Sequence, residues 1–299
     1  MINSPITNKP HTRLVTEFSS KKIIAAYKVL NIDIERFMDG LENIQLYECI
    51  ETGYRFYYPY TIFGDGKFYE DIENNIEGYY FKDRWEHKVV LPNIRPNETV
   101  LEIGCGSGHF LESLVQNGVS AEGIELNEEA IKKAVKKGLN VKHALLENYS
   151  KEKPGYYDVV CSYQVLEHIT NVKDFIEDSL TLLKPGGRLI IAVPNNNPYL
   201  FRYDKWHTLN LPPHHAGLWN KRVFAEMPKH FNMQVKTILI EPLSNYKEWF
   251  QVQKEHYKHT NRFMYLVCCL IPRPVYKFVL KTFKRQIQGR NIIAIFKKN

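Results

Sequence analysis

Residues 99–108 read Thr99-Val100-Leu101-Glu102-Ile103-Gly104-Cys105-Gly106-Ser107-Gly108, an apolar β-type run that carries one acid and then three glycines at alternate positions. Glycines spaced this closely let a chain turn sharply out of a strand and bring its backbone against a ligand, because no Cβ obstructs either. A dinucleotide-type G-x-G-x-x-G beginning at Gly104 would need glycine at position 109, where the chain has His109. A pyrophosphate-binding loop is therefore disfavoured. Glu102, two residues before the first glycine, stands where it could meet a cationic amino group. The pattern suits a nucleoside that carries an amino acid, such as S-adenosylmethionine (SAM), better than a phosphate-rich cofactor.

Outward from this loop, the chain from Val100 to Pro194 alternates strand and helix patterns in the manner of a parallel sheet with crossovers. Residues 99–103 form a first strand, 109–116 a helix ended at Gly118, and 119–126 a second strand that closes on Glu125. Asn127 caps the next helix, which has Glu128 and Glu129 in its first turn, lysines in its later turns and Gly138 as its stop. Residues 140–146 form a third strand and 156–164 a fourth. A helix from Val172 to Leu183 ends at Lys184-Pro185-Gly186-Gly187, and 187–194 form the fifth strand. Residues 233–241 and 289–298 add two more. The expected fold is α/β: a Rossmann-like, doubly wound, mostly parallel seven-stranded sheet. Ligands in such sheets sit outside the carboxyl ends of the strands, and Gly104, Glu125, Gln164 and Asn195 all fall just after strand ends.

The 299 residues, 44% of them apolar, suffice for one full α/β core with additions. We divide the chain into an accessory or lid region, 1–95, and a catalytic domain, 96–299. Within the latter, 198–233 form an acceptor-side loop and helix, and 242–289 a basic helical insertion before the last strand. The first region reads as a helix over 21–37 and then a strongly aromatic stretch that includes Tyr47, Tyr54, Phe56, Tyr57, Tyr60, Phe68, Tyr79, Tyr80, Phe81 and Trp85. Most of these rings are expected to pack a small lobe against the sheet. The opening residues lack an apolar signal-type segment, and no run approaches the length of a membrane span, so a cytoplasmic protein is expected. Five cysteines without a C-x-x-C pair argue against a disulfide framework or a zinc site.

Charge is uneven. The chain carries +7, yet His256–Asn299 holds ten Lys and Arg with no acid, leaving −3 on residues 1–255. Val275, Phe278, Val279, Thr282 and Phe283 set an apolar stripe opposite Lys277, Lys281, Lys284 and Arg285. This basic amphipathic helix could pack on the body of the protein or dock on an anionic membrane surface at the inner face. Nucleic acid ranks last as a partner, because no nucleic-acid module accompanies the basic residues.

Taken together, LEIGCGSGHFL, GIEL, YDVVCSYQVLEHI, LLKPGGRLIIAVPN and the final strand pair resemble the class I SAM-dependent methyltransferases in motif order and spacing. The stretches LYECIETGYRFYYP and GDGKFYEDI look like a degenerate form of the zinc-ribbon leader in a glycan-associated subgroup. Only Cys49 stands where that leader has cysteine ligands. NLPPHHAGLWN resembles a further pattern of the same subgroup. The resemblance implies that Glu102 and the backbone of Gly104, Cys105, Gly106 and Gly108 hold the methionine part of SAM. It also implies that Glu125 takes the ribose hydroxyls, Leu126 flanks the adenine and Gln164 faces the sulfonium. The third-strand acid common in the family has no clean counterpart at 145–147. An (N/D)-P-P-(Y/F) motif, typical of amino-methylation of bases, is replaced by SYQVLEH.

The expected reaction is methyl transfer to a hydroxyl of a small-molecule or glycan acceptor. Transfer to nitrogen or carbon of a sugar or quinone-like ring, and a non-catalytic SAM-binding role at the membrane, stand as alternatives. A hydroxyl acceptor benefits from a positioned base. His215 is the preferred base, with His214 and His168 behind it and His109 after them; Tyr163 and Tyr199 are expected as acceptor-pocket walls. The spacing of potential ligands presents no metal site.

Overall fold

The protein is described by a computed structural model that covers residues 2–76, 84–198, 201, 203, 204, 206–284 and 286–299. Tyr79, Tyr80, Phe81, Tyr199 and Arg285 lie outside the described residues.

The N-terminal region supplies β1 (Thr12–Ser19), α1 (Ser20–Lys28), β2 (Asn43–Cys49), β3 (Arg55–Tyr58), α2 (Gly66–Asn75) and α3 (Trp85–Val90). The central part runs β4 (Thr99–Ile103), α4 (His109–Gln116), β5 (Ser120–Glu125), α5 (Glu128–Lys136), β6 (Val141–His143), α6 (Leu146–Glu152), β7 (Tyr157–Tyr163), α7 (Val172–Leu182) and β8 (Leu183–Pro194). There follow β9 (Gly217–Leu218), α8 (Lys221–Glu226), β10 (Met233–Pro242), α9 (Tyr246–Thr260), α10 (Arg262–Leu270), α11 (Arg273–Phe283) and β11 (Gln288–Lys298).

Seven strands form the main sheet in the order β10-β11-β8-β7-β4-β5-β6. β4 to β8 are parallel, and β11 runs antiparallel to both β8 and β10. Strand order reverses between β4 and β7, which opens a crevice at their carboxyl ends. Helices cover both faces, so these strands read as near-continuous apolar runs: Val100, Leu101, Val159, Val160 and Leu189 to Val193 are all buried. Each of the valine, leucine and isoleucine side chains contributes about 1.5–3 kcal/mol on burial.

The aromatic region is built on a second, antiparallel sheet in the order β1-β2-β3-β9. Its last strand comes from the loop beyond β8, so the two sheets are interlocked. Trp219, fully buried, stacks on Phe224 at 5.2 Å and lies 4.6 Å from Tyr54, joining lobe and main sheet in one core. Of the rings expected to pack, Tyr54, Phe56, Tyr57 and Phe68 are buried and Tyr47 half-buried, whereas Tyr60 is exposed.

Three local expectations change. The helix expected over 21–37 stops at Lys28, because Asn31 takes φ 57°, a conformation that no α-helix continues through; a single tight turn follows at Glu35–Phe37. The third strand is only Val141–His143, and Leu146 opens α6. β8 begins at Leu183, before the glycine pair, through a register shift opposite Tyr157 and Val159.

Among the described residues, no single helix is long and apolar enough to cross a membrane. α10 and α11 reach that length and composition only together, and they meet at 105°.

Candidate functional site

The loop after β4 crosses the top of β5. Gly104 and Cys105 donate their N–H groups to the Ile124 carbonyl at 2.9 and 3.2 Å. A Cβ at Gly104 would meet Val165 Cγ2 at 2.5 Å, so that backbone packs tightly on the loop after β7. Gly106 differs: at φ 53°, a Cβ built on it would have nothing among the described residues beyond its chain neighbours within 4 Å. Cys105 is buried, and its thiol closes on Gly123, so only its backbone faces the loop's outer side. Glu125 anchors the loop. Its Oε2 accepts the Gly106 N–H at 2.8 Å and its Oε1 accepts those of Leu126 and Asn127 at 2.7 and 2.9 Å. Asn127 caps α5 by accepting from the Ala130 N–H at 3.0 Å. Leu126 stands half exposed beside this carboxylate.

Glu102 points inward from β4. It is 4% exposed, and its Oε2 has no hydrogen-bond partner among the described residues. Burial drives its carboxyl well above the usual carboxylate range; the nearby Arg84 opposes the shift and Glu125 adds to it. A buried carboxylate oxygen left without a donor, beside a loop open at Gly106, fits a cationic group borne on a nucleoside, as SAM is.

Around the expected Gln164 converge further groups that sequence reasoning missed. Gln164, at φ 56°, is a non-glycine residue held in a sparsely populated conformation at the end of β7. Its Nε2 donates to Glu86 Oε1 at 3.3 Å and to Asn291 Oδ1 at 3.4 Å. Asn291 in turn donates to Glu241 Oε2 at 2.9 Å, and Arg84 Nη1 lies 3.6 Å from Glu86 Oε1. Burial raises the Glu241 carboxyl as well. Glu86, Glu241 and Asn291 come from α3, β10 and β11, and nothing in the local sequence marks Glu241 or Asn291. A buried acid in an otherwise apolar helical face, as at Glu86, is the one hint.

The three expected histidines come together on the same side of the sheet. His168 closes a short turn after β7, while His214 and His215 lie in the loop that leads to β9. The Ala216 N–H donates to the Glu167 carbonyl at 2.7 Å, and Trp219 bridges to Asn195 beyond β8, fixing that loop along the carboxyl ends of the strands. Nδ1 of His168 donates to the His214 carbonyl at 2.6 Å, Nδ1 of His214 to the Leu209 carbonyl at 2.7 Å, and Nδ1 of His215 to Asn210 Oδ1 at 3.1 Å. Carbonyl oxygens only accept, so each Nδ1 carries the proton and each Nε2 the lone pair. Ring centroids lie 4.5–5.2 Å apart, and Tyr69 meets His168 edge-on at 5.5 Å. Burial lowers all three imidazoles, His168 to about 4 and the other two well below the ordinary range. They are therefore neutral at pH 7 and weak as lone proton acceptors. Burial also raises the Glu167 carboxyl to about 8.

The remaining expected positions fall elsewhere. Tyr163 is no pocket wall: it is 5% exposed, packed between Phe110 at 4.9 Å and His87 at 4.8 Å, because β7 turns it to the opposite face of the sheet. His109 opens α4 with Nε2 3.2 Å from Ser107 Oγ.

A family model described as a methyltransferase domain matches residues 79–238, more than half of the chain. The ubiquinone biosynthesis O-methyltransferase of Nitrosomonas europaea is 34% identical over 112 residues, 36% of this chain and 48% of that protein. Its counterpart in Pseudomonas aeruginosa is 36% identical over 110 residues, 34% of this chain and 47% of that protein. The chain thus spans about half the length of the curated relatives it matches. A SAM-dependent methyltransferase from Archaeoglobus fulgidus, 19% identical, superposes with a TM-score of 0.54 over 78% of this chain and all of that one, which shows a shared fold.

Proposed function

This chain belongs to the SAM-dependent methyltransferase domain family, and from that premise we propose that it methylates a hydroxyl on a small acceptor with a quinone-like ring. The observation that carries the proposal is the trio of neutral imidazoles, His168, His214 and His215, set beside aromatic rings at the carboxyl ends of the strands. SAM supplies a methyl carbon already activated by its sulfonium, so the protein's task is alignment and readying of the acceptor oxygen. Glu125 is assigned to the ribose hydroxyls, with Leu126 against the adenine. Glu102 is assigned to the ammonium of the methionine part, and the backbone of Gly104, Cys105, Gly106 and Gly108 cradles that part. Gln164 and Glu86 line the sulfonium side, where buried carboxylates favour positive charge. The histidine trio is assigned to holding the acceptor hydroxyl in line with the methyl group. The names of the O-methyltransferase relatives favour a ring acceptor over the glycan.

The test is SAM turnover, read as S-adenosylhomocysteine (SAH) release, with a catechol probe and, separately, with a nucleotide-sugar probe. Methylated catechol supports the proposal; methylation of the sugar alone overturns the ring acceptor in favour of a glycan. Turnover with neither overturns the hydroxyl reading of the site.

A second reading concerns where the acceptor is met. On α10 and α11, Phe263, Leu270 and Phe278 are 72%, 79% and 71% exposed, with Arg273, Lys277, Lys281 and Lys284 exposed around them. Large exposed apolar side chains ringed by cations match an anionic bilayer surface. We assign this face to peripheral docking on such a membrane, from which a lipid-borne ring could reach the crevice. Co-sedimentation with phosphatidylglycerol vesicles, lost in a Phe263→Ser/Phe278→Ser variant, tests it; equal sedimentation of the variant overturns it.

A further inference from the structure

We propose that His168, His214 and His215 together bind one divalent transition-metal ion, and that the acceptor hydroxyl completes its coordination. This deepens the reading of the trio as the group that holds the acceptor hydroxyl and rests on it. One potential ligand atom from each histidine lies within 4.8 Å of the other two. Tetrahedral coordination at about 2.0–2.1 Å from the ion sets ligand nitrogens about 3.4 Å apart. Binding thus draws the three nitrogens together by at most about 1.4 Å. Its outer contacts are those a metal-binding histidine needs. Each Nδ1–H is held by an oxygen, of His214, Leu209 or Asn210, which fixes the ring and leaves the lone pair on Nε2.

The surroundings favour a cation. Glu167 lies with Oε1 3.8 Å from His168 Nε2, is 1% exposed, and its Oε2 has no partner among the described residues. The donor set also selects the class of ion. Three imidazoles suit zinc, cobalt, nickel or ferrous iron, whereas magnesium and calcium demand oxygen ligands. Three protein ligands leave a position open, as in catalytic rather than structural zinc sites. A hydroxyl bound there loses its proton to water near neutral pH. Its oxygen then forms the new O–CH3 bond as the S–CH3 bond breaks, and the sulfonium leaves as a neutral thioether. The sequence conceals such a site because His168 and His214 stand 46 residues apart.

Untagged, chelator-treated full-length protein is titrated with Co²⁺ and followed by d–d absorption. Wild type is expected to take up one ion per chain with the intense bands of a four- or five-coordinate site, displaced by Zn²⁺ but not by millimolar Mg²⁺. His215→Ala is expected to abolish the bands while SAH still binds, which reports an intact fold. Asn210→Ala, which removes only the acceptor for His215 Nδ1, is expected to weaken Co²⁺ about tenfold and serves if His215→Ala does not fold. Absence of stoichiometric uptake by wild type, displacement by Mg²⁺, or equal affinity in Asn210→Ala and wild type overturns the proposal. Catechol methylation that persists in chelated protein overturns the metal and leaves the ring acceptor standing; Co²⁺ uptake without catechol methylation does the reverse.

Discussion

Placing a methyl group on Gly106 separates two quantities that most active-site substitutions confound, the strain borne by the protein and the space claimed by its ligand. At φ 53°, alanine adopts a left-handed conformation, which costs about 1 kcal/mol. Among the described residues beyond its chain neighbours, no atom lies within 4 Å of the added Cβ, so none of them has to move, and the Gly106 N–H still donates to Glu125. Gly118, at the end of α4, has the same properties, φ 74° and nothing within 4 Å, yet lies at the amino end of β5, far from the crevice. Gly106→Ala and Gly118→Ala should therefore lose the same stability, about 1 kcal/mol each in urea denaturation. Only Gly106→Ala should lose affinity for SAH in calorimetric titration, by at least about tenfold, or 1.4 kcal/mol, because its methyl enters the volume assigned to the ligand. Wild-type affinity in Gly106→Ala, or a matching loss in Gly118→Ala, would refute the placement of the ligand over this loop.

Glu125→Ala should weaken SAH by about 2 kcal/mol through loss of charge-assisted bonds, with Glu125→Gln between it and wild type; an unchanged dissociation constant in the alanine variant would sink the ribose assignment. At the opposite end of the sheet, Glu122 accepts from Tyr149 at 3.0 Å, from Lys153 at 2.5 Å and from Tyr157. Burial alone would raise its carboxyl, but these bonds prevail and hold it below the usual range. A depressed carboxyl stabilises the fold above its unfolded-state value, near 4.3, and that contribution disappears as pH falls through the folded value. Glu122→Gln should accordingly cost about 2 kcal/mol at pH 7 and much less at pH 3.5, as read from urea midpoints; a penalty independent of pH would show that the charge is not what these partners hold.

Much of the fold is legible in the chain because its determinants are local. The glycine loop, the Asn127 cap and the apolar central strands all follow from spacing within a few residues. The same is true of Glu102 and Glu125, which the end of a strand places without help from distant segments. Where local signals compete, the reading slips. Leu145 and Leu146 fit a strand or a helix equally well by pattern, and docking of α6 against α7 settles which.

Convergence is decided only in three dimensions. Nothing within a few residues of His168 announces His214 and His215, and nothing near Gln164 announces Glu86 or Asn291. The sequence by itself determined a doubly wound sheet with a SAM-type loop at its switch point, since backbone conformation and side-chain alternation are short-range properties. The tertiary structure alone decided that three imidazoles meet in one cluster, that Tyr163 turns away from it, and that α10 and α11 keep apolar side chains in solvent. Burial and long-range contact depend on how whole elements pack, and no local window of the chain contains that information.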